Sequence, residues 1–287
     1  MGNLDYRDIF LAVKDYDTLL FDIWGVIVEG NYVYPGTVDT INKLATEKTV
    51  LFVSNVPRSR AYTYEMLASW GIKTKPEMII TAGEVARQLI TTNIQNFTQR
   101  PAIYHLGADR NQDMLADLNL PLTNNIREAN ILALSLYRDE GDNLEEFDEF
   151  LKTAAAIGTI NICANPDTTI PRLGSMRYCA GYFASKLEKL GAPVIYTGKP
   201  YAEIYQKAFD LRPGIEKHRV LMIGDTLETD VLGANNIGID SALVLTGNAK
   251  KFHDSHNDMS DKLLALGNAA GRAGVRPTFV TRIDRPI

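Results

Sequence analysis

The strongest constraint on the fold is a rhythm of short apolar runs, each closed by a polar residue or glycine: DTLLFDI, KTVLFVSN, PEMIIT, PAIYHLG, NILALSLY, GTINICAN, PVIYTG, RVLMIGD and ALVLTG. Runs this short and this uniformly apolar suit strands covered on both faces, as in a parallel sheet. Between them, residues 37–48, 59–70, 83–91, 144–156, 201–211 and 261–266 place apolar side chains at helical spacing. Strand and helix alternate, so the fold class expected is α/β with a doubly wound, largely parallel sheet. The polar residues 267–276 read as a loop before a last strand in PTFVTRI.

In such a sheet, ligands gather beyond the carboxyl ends of the strands. The polar residues that close the apolar runs there are Asp22, Ser54 with Asn55, Lys199 and Asp225. Asn55 and Lys199 stand much farther apart than one crossover requires, and the chain between them has strand-like and helix-like segments of its own. An inserted domain at residues 83–190 accounts for this, leaving 1–82 and 191–287 to form the core domain.

Net charge is -5 and no Lys/Arg cluster appears, which argues against nucleic acid as a partner and favours a small or neutralised substrate. Cys163 and Cys179 lack metal-ligand spacing and read as buried thiols in a reducing compartment. No run approaches the roughly 18 apolar residues that a membrane-spanning helix needs. A soluble, cytoplasmic protein is expected, with self-association left open. The histidines His105, His218, His253 and His256 show no mutual spacing and read as structural or solvated.

The acids are more telling. Asp22 would share its sheet edge with Asp225 and Asp230 of GDTLETD, with the cation Lys199 and with the hydroxyl of Ser54. Crowded carboxylates repel unless a cation sits among them, and a hard oxygen site of this kind suits Mg²⁺. Gly25 and Gly224 permit tight turns beside the acids. In outline this is a phosphate site: Asp22 attacks phosphorus, Mg²⁺ and Lys199 offset charge, and Ser54 holds phosphoryl oxygens.

The order of these pieces resembles the haloacid dehalogenase (HAD) superfamily of aspartyl-nucleophile hydrolases. FDIWGV is similar to its first motif, LFVSN to the second, TGKP to the third and MIGDTLETD to the fourth. The segments SNVPRSRAYTYEMLASWGI, IITAGEVA and ICANPDTTIPR extend the resemblance to the class IIA, NagD-like sugar and nucleotide phosphatases. The resemblance implies a Rossmann-like core with an inserted α/β cap that closes over a small phosphorylated metabolite. It implies Asp22 as nucleophile and metal ligand, the Trp24 carbonyl and Asp225 as further ligands, and Asp230 bracing the site through water or Lys199.

In that family the residue two after the nucleophile also supplies a carboxyl for acid/base catalysis, and Trp24 cannot. Three readings stay open: a good leaving group, a substitute acid from the cap or from the loop with Glu29, or weak catalysis in a protein that mainly binds a phosphorylated ligand. Chemistry at a bond other than a phosphate ester is the remaining alternative. Asn55, Arg58 and Asp167 are candidates for contact with the substrate, although Asn55 could cap a helix, Arg58 could be a solvated helix-start cation and Asp167 a turn-forming acid. Arg177 and Tyr178 stand where the family often has small substrate-facing residues.

Overall fold

The computed structural model describes residues 4–136, 144–172, 175–255 and 258–284. The chain divides into two compact units, Met1–Ser54 with Ala61–Ile80 and Lys199–Ile287 in one, and Asn55–Arg60 with Thr81–Gly198 in the other.

The first unit is built on a six-stranded sheet in the order Phe279–Thr281, Asp240–Val244, Val220–Gly224, Thr18–Phe21, Thr49–Ser54, Ile79–Thr81. Thr18–Phe21 runs parallel to both neighbours, with Leu19 level with Leu221 on one side and Val50 on the other. All four of its residues are buried, as a strand covered on both faces requires. From this central strand the chain winds out to Thr49–Ser54 and Ile79–Thr81, then returns to build the opposite half. The direction of winding therefore reverses between Thr18–Phe21 and Val220–Gly224, the crevice where open α/β sheets place their ligands.

Helix Thr37–Leu44 shows how the sheet is covered: its buried residues Thr37, Thr40, Ile41 and Leu44 recur at helical spacing. The expected loop at 267–276 is instead mostly helix. Met259–Ala273 is capped by the Asp258 carboxylate on Asp261 N–H and ends at Gly274, whose φ is 68°. Its buried positions Lys262, Leu266 and Ala270 lie four residues apart. The polar and glycine content of the segment concealed a helix that needs only a narrow buried stripe and draws on alanine for the rest.

The second unit carries a four-stranded sheet, Val194–Tyr196, Ile160–Cys163, Ile131–Leu134 and Ile103–Leu106, parallel throughout. Beside it, Thr169–Arg172 and Ser175–Tyr178 form an antiparallel hairpin where the sequence suggested only a turn. The PVIYTG run, expected in the core, is the edge strand of this second sheet. A short apolar run is equally at home in either parallel sheet, and nothing local selects the partner.

His105, on the strand Ile103–Leu106, is a structural group of this second unit. Its Nε2 lies 2.7 Å from Ser135 Oγ, and its buried Nδ1 has no hydrogen-bond partner among the described residues. Burial pulls its pKa down to about 4, against the attraction of Asp109 and Asp113. An unfolded histidine takes up its proton near pH 6.5, as folded His105 does not, so stability falls as the pH drops from about 6.5 towards 4. Between about pH 7 and about pH 4.5, His105→Gln is expected to lose roughly 1–2 kcal/mol less stability than the wild type, a figure reduced for the ring's partial exposure. Urea unfolding at the two pH values checks this, and equal losses in both proteins would clear the ring of the effect.

Candidate active site

The two strands that flank the reversal each end in an aspartate. Asp22 follows Thr18–Phe21 and continues the ladder, its N–H donating to Ile223 C=O at 2.9 Å. Asp225 follows Val220–Gly224. Beyond it the backbone makes a wide turn over Leu227–Val231 that brings Asp230 back, so that its Oδ2 accepts the N–H groups of Asp225 and Thr226, each at 3.1 Å. Gly224 is required for this return: a Cβ there would lie 2.1 Å from the Asp230 carboxyl carbon.

Lys199 joins the acids. Its Nζ lies 2.7 Å from Asp22 Oδ1 and 2.7 Å from Asp230 Oδ1. Because the preceding strand belongs to the second sheet, Lys199 reaches the acids from the turn that leads into helix Ala202–Leu211. Asp22, Lys199, Asp225 and Asp230 are all buried, and one oxygen of each carboxylate lies within 4.8 Å of the others.

The charges in this cluster do not balance. Burial, opposed by Lys199 and aided by Asp230, pushes the Asp22 carboxyl up to about 7. Burial would lower the Lys199 ammonium, but Asp22 and Asp230 outweigh it and hold the group protonated. Asp225 is pushed well above the carboxylate range by burial and by both neighbouring acids. It accepts the Asn248 N–H at 2.5 Å and the Thr226 hydroxyl at 3.1 Å, with no cation of the protein paired to it among the described residues. A buried carboxylate in that position calls for a positive charge. These donors, all hard oxygens, fit a small divalent cation.

Ser54 is buried at the carboxyl end of the strand beside Asp22. Gly25, at φ 85°, packs directly against Asp225, where a Cβ would stand 2.3 Å from Oδ2. The loop through Gly25 is tied down on both sides: its N–H donates to Val28 C=O at 2.8 Å and its carbonyl accepts the Thr246 hydroxyl at 2.6 Å. Tyr34 donates to Glu29 Oε2 at 2.7 Å and accepts the Gly247 N–H at 3.2 Å, so the Glu29 carboxylate is engaged by a phenol. Trp24 pairs through its backbone with Val28 and sets its indole edge-to-face with Trp70, centroids 6.2 Å apart at 89°.

The remaining sequence candidates lie in the second unit. Asn55 Nδ2 donates to Asp167 Oδ1 at 3.0 Å, and the Asp167 N–H donates to Asn165 Oδ1 at 3.1 Å, a turn closed by its own side chain. Arg58 Nε donates to Asp113 Oδ1 at 2.9 Å, and Ser59 N–H donates to Asp113 Oδ2 at 3.0 Å. Arg58 is thus neither a solvated cation nor one held open. The Arg177 Nε is buried without a hydrogen-bond partner among the described residues, and the Tyr178 ring lies 4.5 Å from that of Tyr182, tilted by 45°. His256 lies outside the described residues.

Sequence reasoning missed Asp113, Asn248, Thr246 and Trp70. Asp113 and Trp70 carry no local signal. Asn248 and Thr246 did have one, since LTGNAK directly follows an apolar run in the manner of Ser54 and Asp225.

Comparison with known proteins matches residues 19–121 to a family described as haloacid dehalogenase-like hydrolase and residues 196–265 to one described as HAD-hydrolase-like. The first match contains Asp22 and Ser54, and the second contains Lys199, Asp225 and Asp230. An acid sugar phosphatase of Staphylococcus epidermidis is 26% identical over 238 residues, spanning 82% of this chain and 88% of the relative. A crystal structure of a possible sugar phosphatase from Cytophaga hutchinsonii superposes with a TM-score of 0.77 at 25% identity, covering 99% of this chain and 100% of that one. The p-nitrophenyl phosphatase from Archaeoglobus fulgidus superposes with a TM-score of 0.73 at 25% identity, covering 94% and 98%.

Proposed function

Since the chain belongs to the haloacid dehalogenase-like hydrolases, we propose that it is a Mg²⁺-dependent phosphatase that cleaves a small phosphorylated metabolite through a phosphoryl group carried on Asp22. The observation that carries this reading is the buried trio of Asp22, Asp225 and Asp230 with a single lysine bonded to two of them.

The Asp22 carboxylate attacks phosphorus as the bond to the leaving oxygen breaks, and water then attacks the acyl phosphate to release inorganic phosphate and restore Asp22. Lys199 favours the ionised form of Asp22 against the effect of burial and offsets the charge spreading over the phosphoryl oxygens. Ser54 stands as a donor to those oxygens, as the resemblance to the second motif implies. Asp230 acts one step back: it orients Lys199 and fixes the backbone turn that presents Asp225. Bound by Asp22, Asp225 and the Trp24 carbonyl, Mg²⁺ would polarise the phosphoryl group and lower the repulsion between the nucleophile and the phosphate. In the second unit, Asn55 and Asp167 hold each other and form the better candidate contact for a substrate; Arg58, committed to Asp113, is the weaker one.

Phosphate release from aryl, acyl and sugar phosphates, with Mg²⁺ present and after chelation, tests the reading. Release that is abolished by chelation and returns on adding Mg²⁺ is expected. Metal-independent turnover, or none with any ester, would sink it. Trp24 favours a second reading, a phosphometabolite-binding protein with little turnover, and saturable ligand binding without phosphate release would select it.

A further inference from the structure

Trp24 stands two residues after Asp22 and next to Gly25, which is wedged against Asp225. Its backbone is held by pairing with Val28, and the Gly25 carbonyl that follows is held by Thr246. These contacts tie down the backbone that carries Trp24. Its ring packs edge-to-face with Trp70, which packs on the core of the same unit. Around it Asp22, Lys199, Asp225 and Asp230 are buried, while Trp24 keeps 37% of its surface exposed. An exposed indole two residues from Asp22 offers a flat π surface to a ligand that reaches the cluster.

The chemistry narrows what that is. With tryptophan at position 24, the bond from phosphorus to the leaving oxygen breaks without a proton from this residue, and Glu29 is engaged by Tyr34. With a proton from neither residue, the electron pair departs on oxygen as an anion, to be protonated by solvent. A phenolic oxygen, with a pKa near 10, carries that charge far more readily than an aliphatic alkoxide. An aromatic leaving group satisfies both demands, because it departs unprotonated and its ring stacks on the indole.

We infer that Trp24, braced by Trp70, is a specificity-determining platform for an aromatic group on the substrate, so that the site prefers aryl phosphates to sugar phosphates. The inference rests on the phosphatase reading above for its substrate class.

Trp24 and Trp70 are the only two tryptophans of the chain. Tryptophan emission therefore reports on this pair alone, and Trp70→Phe leaves Trp24 as the sole reporter. The test titrates the full chain in Mg²⁺ with phenylphosphonate and with methylphosphonate, alongside phosphate release from phenyl phosphate. The phenyl ligand is expected to change Trp24 emission and to bind about 5- to 10-fold more tightly than the methyl ligand. Trp24→Leu should erase that preference and Trp24→Phe should restore part of it; if Trp24→Leu does not fold, Trp24→Phe and the Trp70→Phe emission carry the test. Equal affinities in the wild type, or a preference that survives in Trp24→Leu, would overturn the platform. Phosphate release without an aryl preference sinks the platform and leaves the phosphatase reading standing. An aryl preference without phosphate release supports the platform and sinks the phosphatase reading.

Discussion

Asp22→Asn is expected to cut phosphate release by at least about 10⁴-fold at saturating Mg²⁺ and substrate, the scale seen when a covalent nucleophile is removed. The asparagine keeps the shape of the side chain and an oxygen that can accept the Ile23 N–H, which the aspartate binds at 2.7 Å. What it loses is the charge that meets Lys199 and the electron pair that forms the bond to phosphorus. Rapid quenching of the wild-type reaction should show a phosphoryl adduct on the peptide that contains Asp22, absent from the variant. A variant that retains wild-type turnover would require a different nucleophile. A variant that loses turnover while the wild type never shows the adduct would point to water as the direct attacker, with Asp22 reduced to a metal ligand.

Lys199→Met should produce the largest loss of stability, about 3–5 kcal/mol, because it removes a buried cation paired with two buried carboxylates. Methionine fills much of the lysine's volume, so the loss reports charge rather than a cavity. Asp22 and Asp230 would be left without the ammonium that now lies 2.7 Å from each. The Asp22 carboxyl, already raised by burial, would rise further and be protonated near neutral pH, which also removes the nucleophile. Urea unfolding with and without Mg²⁺ measures the effect, and Mg²⁺ should recover part of the lost stability if it binds among the same acids. A variant as stable as the wild type in the absence of metal would show that the buried charges are balanced by something other than Lys199.

Periodicity made much of the architecture legible in the chain. The apolar runs around Leu19, Phe52, Leu106, Leu134, Cys163, Ile195, Leu221 and Leu243 are strands, and the helices at 37–44, 60–69, 146–157 and 202–211 begin and end close to where spacing places them. Local pattern failed where the fold depends on remote partners. Residues 267–273 lack a bulky apolar face yet are helical, because a few small side chains suffice to cover one part of the sheet. The hairpin Thr169–Arg172 with Ser175–Tyr178 was hidden behind turn residues.

For the site, the sequence by itself determined the acids, their order and the tryptophan that displaces a carboxyl at position 24, because residue type and position after a strand are local properties. It also showed glycines beside Asp225 and Trp24, although only the close approach of Asp230 and Asp225 in the structure makes them obligatory. Only the tertiary structure decided that Lys199 bridges Asp22 and Asp230 while Asp225 has no cation paired to it among the described residues, that Arg58 is committed to Asp113, and that Trp24 packs on Trp70. Each of these is a pairing between residues distant in the chain, and such pairings arise from how strands and helices are stacked, which no local spacing encodes.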